Sequence, residues 1–118
     1  MPVIKFQDEE LKKKFITACK DAGGKFFIDK TCTNRETLNC KLGNVKIEIW
    51  DSQIIEGEHA VLIKKYHDVG VKDIVSSIIE IDNIKISKDK VKINDIEVDL
   101  KNEKVKGEKE LKYMGLLF

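Results

Sequence analysis

Apolar and polar residues alternate strictly on both sides of Gly43-Asn44. Leu38, Cys40 and Leu42 fall on one face before that turn, and Val45, Ile47 and Ile49 fall on the same face after it. A two-residue loop sets Leu42 opposite Val45, Cys40 opposite Ile47 and Leu38 opposite Ile49. The pattern predicts a β-hairpin over residues 38–50 with one apolar face. That face has to be covered by other elements.

The rest of the chain supplies them. Pro2 to Phe6 predicts a short strand. Gln7 or Asp8 then caps a helix whose first turn carries Asp8, Glu9 and Glu10, where carboxylates suit the positive end of the dipole. Leu11, Phe15, Ala18 and Ala22 repeat at helical spacing with Ile16 and Cys19 beside them, and Gly23-Gly24 ends the run. Lys25 to Thr31 predicts a strand built on Phe26, Phe27 and Ile28, and Thr31 to Arg35 a polar loop. Asp51 to Gly57 reads as irregular or as a short edge strand around Ile54 and Ile55. Val61-Leu62-Ile63, within His59 to Tyr66, suits a strand buried on both faces. Val71, Ile74, Val75, Ile78 and Ile79 then recur at helical spacing after Asp68 or Gly70. They predict a second helix that ends at Asp82-Asn83, although β-branched side chains also favour strands. Ile84 to Ile86, Val91 to Ile93 and Ile96 to Leu100 form a meander with turns at Ser87 to Lys90 and Asn94-Asp95. Lys101 to Glu108 reads as a charged loop. Leu111 to Phe118 reads as a last strand or as a helix interrupted by Gly115.

Composition narrows the class. The 118 residues fit one domain, 1–118, with a sizeable core, and 42% hydrophobic with 36% charged residues fits a globular protein with a charged surface. No apolar run reaches the roughly 20 residues of a membrane span, and the N-terminus lacks the apolar core of a signal peptide, so a cytoplasmic protein is expected. Lysine, glutamate and isoleucine are abundant, as in AT-rich genomes and in thermophiles. Arg35 is the only arginine among 22 basic residues, which disfavours base-specific reading of DNA. The net charge of +1 is unevenly spread: residues 1–50 carry 10 basic and 7 acidic groups, residues 51–83 carry 3 and 7, and residues 84–118 carry 9 and 7. Such asymmetry allows a local basic patch on a near-neutral chain. Cys19, Cys32 and Cys40 lack zinc or disulfide-framework spacing and are expected as reduced thiols, Cys19 and Cys40 in the core.

Laid out in order, the elements give a strand–helix–three-strand unit twice, at about residues 2–50 and 60–100, within halves 2–57 and 58–118. Val3-Ile4-Lys5-Phe6, Glu10-Leu11-Lys12-Lys13-Lys14-Phe15 and Ala18-Cys19-Lys20-Asp21-Ala22 resemble the opening strand and lysine-bearing helix of one domain of a DNA sliding clamp of the proliferating-cell-nuclear-antigen type. Val69 to Ile79 with Ile84-Lys85-Ile86 resembles its second helix and strand, and Leu111-Lys112-Tyr113-Met114-Gly115-Leu116 its last strand. Leu116-Leu117-Phe118 stands where the family has Ala-Pro. The resemblance implies an α+β fold with a duplicated β-α-β-β-β unit, antiparallel sheets and two helices on one side. It implies a non-enzymatic replication or repair factor that self-associates into a ring or joins replication proteins. Its helices would meet duplex DNA phosphates without reading bases. Lys12, Lys13, Lys14, Thr17, Lys20 and Lys72 are the positions that would face DNA. Ile54, Ile55, Tyr113, Met114 and Leu116 would meet protein partners.

Other chemistry is thin. His59 and His67 lack metal-site spacing and are expected at the surface or as supports to neighbouring polar groups. Cys32 lies in a polar loop near Lys30 and Arg35 and reads as accessible but inert. No cofactor is called for. The alternative function is a protein-binding or assembly module without nucleic acid, favoured by the near-neutral charge and by Asp73 and Glu80 on the exposed side of the expected second helix.

Overall fold

The computed structural model describes residues 2–107, 109 and 111–113. One layer is an antiparallel sheet of β1 (Lys25–Lys30), β2 (Glu36–Leu42), β3 (Val45–Asp51), β4 (His59–His67), β5 (Gly70–Ile79) and β10 (Lys112–Tyr113), in that spatial order. The other layer holds α1 (Glu9–Asp21) beside a four-stranded sheet of β6 (Ile84–Ile86), β7 (Lys90–Ile93), β8 (Ile96–Asp99) and β9 (Lys104–Lys106). The helix packs on β1, β2 and β6, while β9 reaches back to β5.

The central hairpin has the expected register. Leu42 pairs with Val45, Cys40 with Ile47 and Leu38 with Ile49. Of these six residues, all but the partly buried Leu42 are buried. They meet Leu11, Phe15 and Cys19 of α1 and the inward isoleucines and valines of β6–β8 in one core. The turns at Ser87–Lys90 and Asn94-Asp95 join β6 to β7 and β7 to β8 as expected, with Ile86 opposite Val91 and Ile93 opposite Ile96. Helix α1 begins where its capping chemistry predicts, with Asp8 Oδ1 accepting from Leu11 N at 3.0 Å. It ends at Gly23, whose φ of +77° suits glycine.

The antiparallel α+β layering agrees with the sequence reading, but the two-helix arrangement does not. The expected second helix is strand β5, and α1 is the only α-helix among the described residues. The physical reason lies in the register of β5. Ile63 pairs with Val75 and Lys64 with Asp73, so Ile74 is an extra, bulged residue. Val75 and Ile79 face the core and the bulged Ile74 packs there too, while Ile78 faces the other side with Ala60, Leu62 and Trp50. A strand whose second half is buried on both faces and shifted by one bulge, preceded by the exposed Val71, reproduces the spacing of a helical stripe. Strand propensity then prevails.

Three smaller corrections follow. Pro2 to Phe6 contributes a single parallel bridge, Ile4 to Arg35, rather than a strand. The charged loop contains β9, which pairs Val105 with Val98. Cys19 and Cys40 are not reduced thiols but a disulfide joining α1 to β2, while Cys32 is an exposed free thiol. The last-strand expectation holds for Lys112–Tyr113, which pair with Ile78 and Ser77, and its remainder from Met114 lies outside the described residues.

His59 is a correction with a pH consequence. It is buried, not surface, with 4% of its surface accessible. Its ring stacks on Phe6, its Nε2 lies 3.4 Å from Asp8 Oδ2, and its Nδ1 accepts from Ile81 N at 3.4 Å. Burial pushes its pKa below the ordinary imidazole value, against the opposing pull of Asp8, Asp51 and Glu80. As pH falls, the unfolded chain therefore binds this proton first. The stability is whole above the unfolded imidazole pKa of about 6.5 and declines as pH drops through it. Denaturant midpoints at pH 7.5 and 5.5 should differ more for the wild type than for His59→Gln; equal slopes would remove His59 as the cause.

Candidate functional site

Helix α1 buries Leu11, Phe15, Ala18 and Cys19 and leaves Lys13, Lys14, Thr17 and Lys20 exposed. Strand β6 alternates in the same way. Ile84 and Ile86 point into the core, so Lys85 points out. Where α1 lies against β6 these two exposed sets meet across a groove of about 600 Å³ lined by Lys13, Lys14, Thr17, Asp21, Asn83 and Lys85, with Ala18, Ile84 and Ile86 as its apolar floor.

The wall on the β6 side is held in place by Asn94. Its Oδ1 accepts from Asp82 N at 2.8 Å and Asn83 N at 3.1 Å, and its Nδ2 donates to Glu80 O at 2.8 Å. Asn94 sits at φ +54°, a conformation that asparagine tolerates in a two-residue hairpin loop. Lys14 spans the groove from the helix, its Nζ donating to Asp82 O at 2.9 Å. Behind Lys85, the meander sets Lys92 directly beside it on β7.

Ion pairing separates the lysines of this groove from those on the outer face of the large sheet and on the β4–β5 hairpin. Lys46 and Lys64 lie at 3.0 and 3.9 Å from Glu48 Oε1, and Lys65 and Lys72 at 3.7 and 2.8 Å from Glu103. Among the described residues Lys13, Lys14 and Lys85 take part in no such ion pair, and Asp21 is the one carboxylate lining their groove. Three ammonium groups, a hydroxyl and an apolar floor can hold a phosphate with its attached sugar.

The sequence-predicted DNA residues divide three ways. Lys13, Lys14 and Thr17 line the groove, whereas Lys12 and Lys20 lie outside it. Lys72 is on β5, not on a helix, and its Nζ is held by Glu103 Oε2. The Lys72 hydrogen bond and charge, with help from His67 and Lys65, draw the Glu103 pKa below the ordinary carboxylate value. Glu103 thereby ties the β4–β5 hairpin to the β8–β9 turn. Lys85 is the groove residue that sequence reasoning missed. Its alternation with Ile84 and Ile86 marks it as outward, but nothing in the sequence says that α1 lies alongside.

Of the predicted partner residues, Ile54 and Ile55 are exposed on the β3–β4 loop, where both backbone N–H groups donate to Ser52 Oγ. Tyr113 lies on β10 next to Ser77, while Met114 and Leu116 lie outside the described residues. Among the described residues no three His, Cys, Asp or Glu side chains are grouped to hold a metal ion, and no helix is long and apolar enough to cross a membrane. No protein-family model, curated protein or solved structure matches the chain.

Proposed function

We propose that this chain is a non-enzymatic accessory protein that holds the phosphate backbone of duplex DNA through Lys13, Lys14 and Thr17 of α1 and Lys85 of β6. One observation carries the reading: these three lysines converge on one groove and form no ion pair among the described residues, while Lys46, Lys64, Lys65 and Lys72 are held by Glu48 and Glu103. Lysine supplies point charge rather than the planar fork that reads guanine, so contact would be with the backbone alone. The encirclement implied by the clamp resemblance is no part of the proposal, since β5 replaces the second helix.

Fluorescence anisotropy with a labelled duplex tests it. Three phosphate contacts give a slope of about −3 for log affinity against log salt. Lys13→Glu with Lys85→Glu should weaken binding about tenfold or more and flatten that slope by about 2. Lys72→Glu serves as the control and should leave both unchanged. Binding that ignores salt, or that responds equally to all three substitutions, would discard the groove.

A second reading, protein binding without nucleic acid, is favoured by the tip of the β4–β5 hairpin. There Val69 is 98% exposed, and Tyr66 and Val71 are exposed beside it. An absence of DNA affinity would select it.

A further inference from the structure

Strand β1 ends the six-stranded sheet, and no described strand pairs with its outer edge. The direction of its peptide groups follows from the ladder. Lys30 pairs with Glu36, and Thr31 N donates to Arg35 O at 2.9 Å directly across. Residues 25, 27 and 29 therefore turn their N–H and C=O groups toward β2, and Phe26, Ile28 and Lys30 turn theirs outward. The outward Lys30 N–H is taken by Asp29 Oδ1 at 2.8 Å. Phe26 and Ile28 are left with two outward N–H and two outward C=O groups.

The side chains on this edge are equally specific. Phe26 and Ile28 pair with Cys40 and Leu38, which places them on the core side of the sheet, and Ile28 is nonetheless 40% exposed. Lys25, Phe27 and Asp29 lie on the opposite side, with Lys46 Nζ 5.7 Å from the Phe27 ring centroid.

We infer that this edge pairs with the same edge of a second copy, antiparallel about a twofold axis through Phe27. Hydrogen bonding between two such edges requires outward residues to face outward residues, so only registers centred on a residue are possible. Centring on Asp29 sets that carboxylate against itself. Centring on Ile28 sets Phe27 against aspartate and Phe26 against lysine. Centring on Phe26 leaves Lys25 against an aromatic ring. Centring on Phe27 sets Lys25 against the partner's Asp29, and Asp29 against the partner's Lys25. It also sets Phe26 against the partner's Ile28 on the core side, and the reciprocal contact doubles it. Four backbone hydrogen bonds close the seam, and the two six-stranded sheets become one. The interface is isologous and closed, so it ends at a dimer and leaves no growing fibre. It uses none of the groove residues and stands independently of the DNA reading.

Sedimentation velocity from micromolar to millimolar protein tests the seam. The wild type should move toward twice the chain mass of 13.5 kDa. Asp29→Lys sets lysine against lysine at both ends and should weaken the dimer tenfold or more. Adding Lys25→Asp restores opposite charges with their positions exchanged and should recover most of that loss. Far-UV circular dichroism reports whether each variant is folded. A wild type that stays monomeric throughout, or a dimer that Asp29→Lys leaves intact, or a swap that rescues nothing, overturns the assignment.

Discussion

Replacing Cys19 and Cys40 together by alanine is expected to remove about 3 kcal/mol of folding stability, which lowers Tm by roughly 10 °C. The bond joins residues 21 apart, and closing a loop of that length restrains the unfolded chain by about that amount. It also fixes α1 to β2 at a crowded point. A Cβ on Gly24 would lie 2.8 Å from Cys40 Sγ and 3.0 Å from Cys19 Sγ, so the helix stop is shaped around the two sulfurs. The experiment is urea unfolding of both proteins with and without reductant, in a Cys32→Ser background that prevents exchange with the exposed thiol. Reductant should bring the wild type down toward the variant and leave the variant unmoved. A wild type indifferent to reductant and no more stable than the variant would mean that the sulfurs are not bonded.

Such a bond was not legible in the sequence, although its two ends were. Cys19 falls on the apolar side of a predicted helix and Cys40 on the inward face of a predicted strand, so both were placed in the core. Which core residues touch is decided by how α1 crosses the sheet, and no local pattern encodes that. The hairpin over residues 38–50 was legible down to its pairs because period-two alternation and a two-residue loop leave a single register. Helix α1 was legible from its cap, its stripe and its glycines. Strand β5 was not, because its bulge and its two buried faces imitate a helical period. Strand β9 has one apolar residue, Val105, between two lysines, which is too little to separate a strand from a charged loop.

The candidate groove divides along the same line. Lys13, Lys14 and Thr17 followed from the helical wheel alone. Lys85 required the packing of α1 against β6, a contact between residues some 70 apart in sequence. The error at Lys72 descends directly from the error at β5, since a residue assigned to the wrong element is also assigned to the wrong face. On α1, local periodicity identified which side chains are exposed, and only the tertiary arrangement identified which exposed side chains share a site.

The largest loss from a single substitution is expected at Phe15. Phe15→Ala should cost about 3–5 kcal/mol, against a total stability of about 5–15 kcal/mol for a domain of this kind. Its ring is fully buried and meets Phe26 edge to face with centroids 6.0 Å apart. It is the largest apolar group by which α1 covers the sheet, and no second helix among the described residues takes over that duty. Ile28→Ala, on the exposed edge of the same sheet, should cost less than about 1 kcal/mol in the monomer, which separates a core anchor from an edge contact. Phe15 and Cys19 occupy adjacent turns of one face of α1, so their losses should not add. Where the cystine is absent, α1 is already less firmly held and Phe15→Ala should cost measurably less than in the wild type. A double-mutant cycle by urea unfolding measures that coupling, expected at about 0.5–3 kcal/mol. Strict additivity would mean that aromatic packing and the disulfide secure α1 independently, and that the helix, with the groove lysines it carries, keeps its place when either is removed.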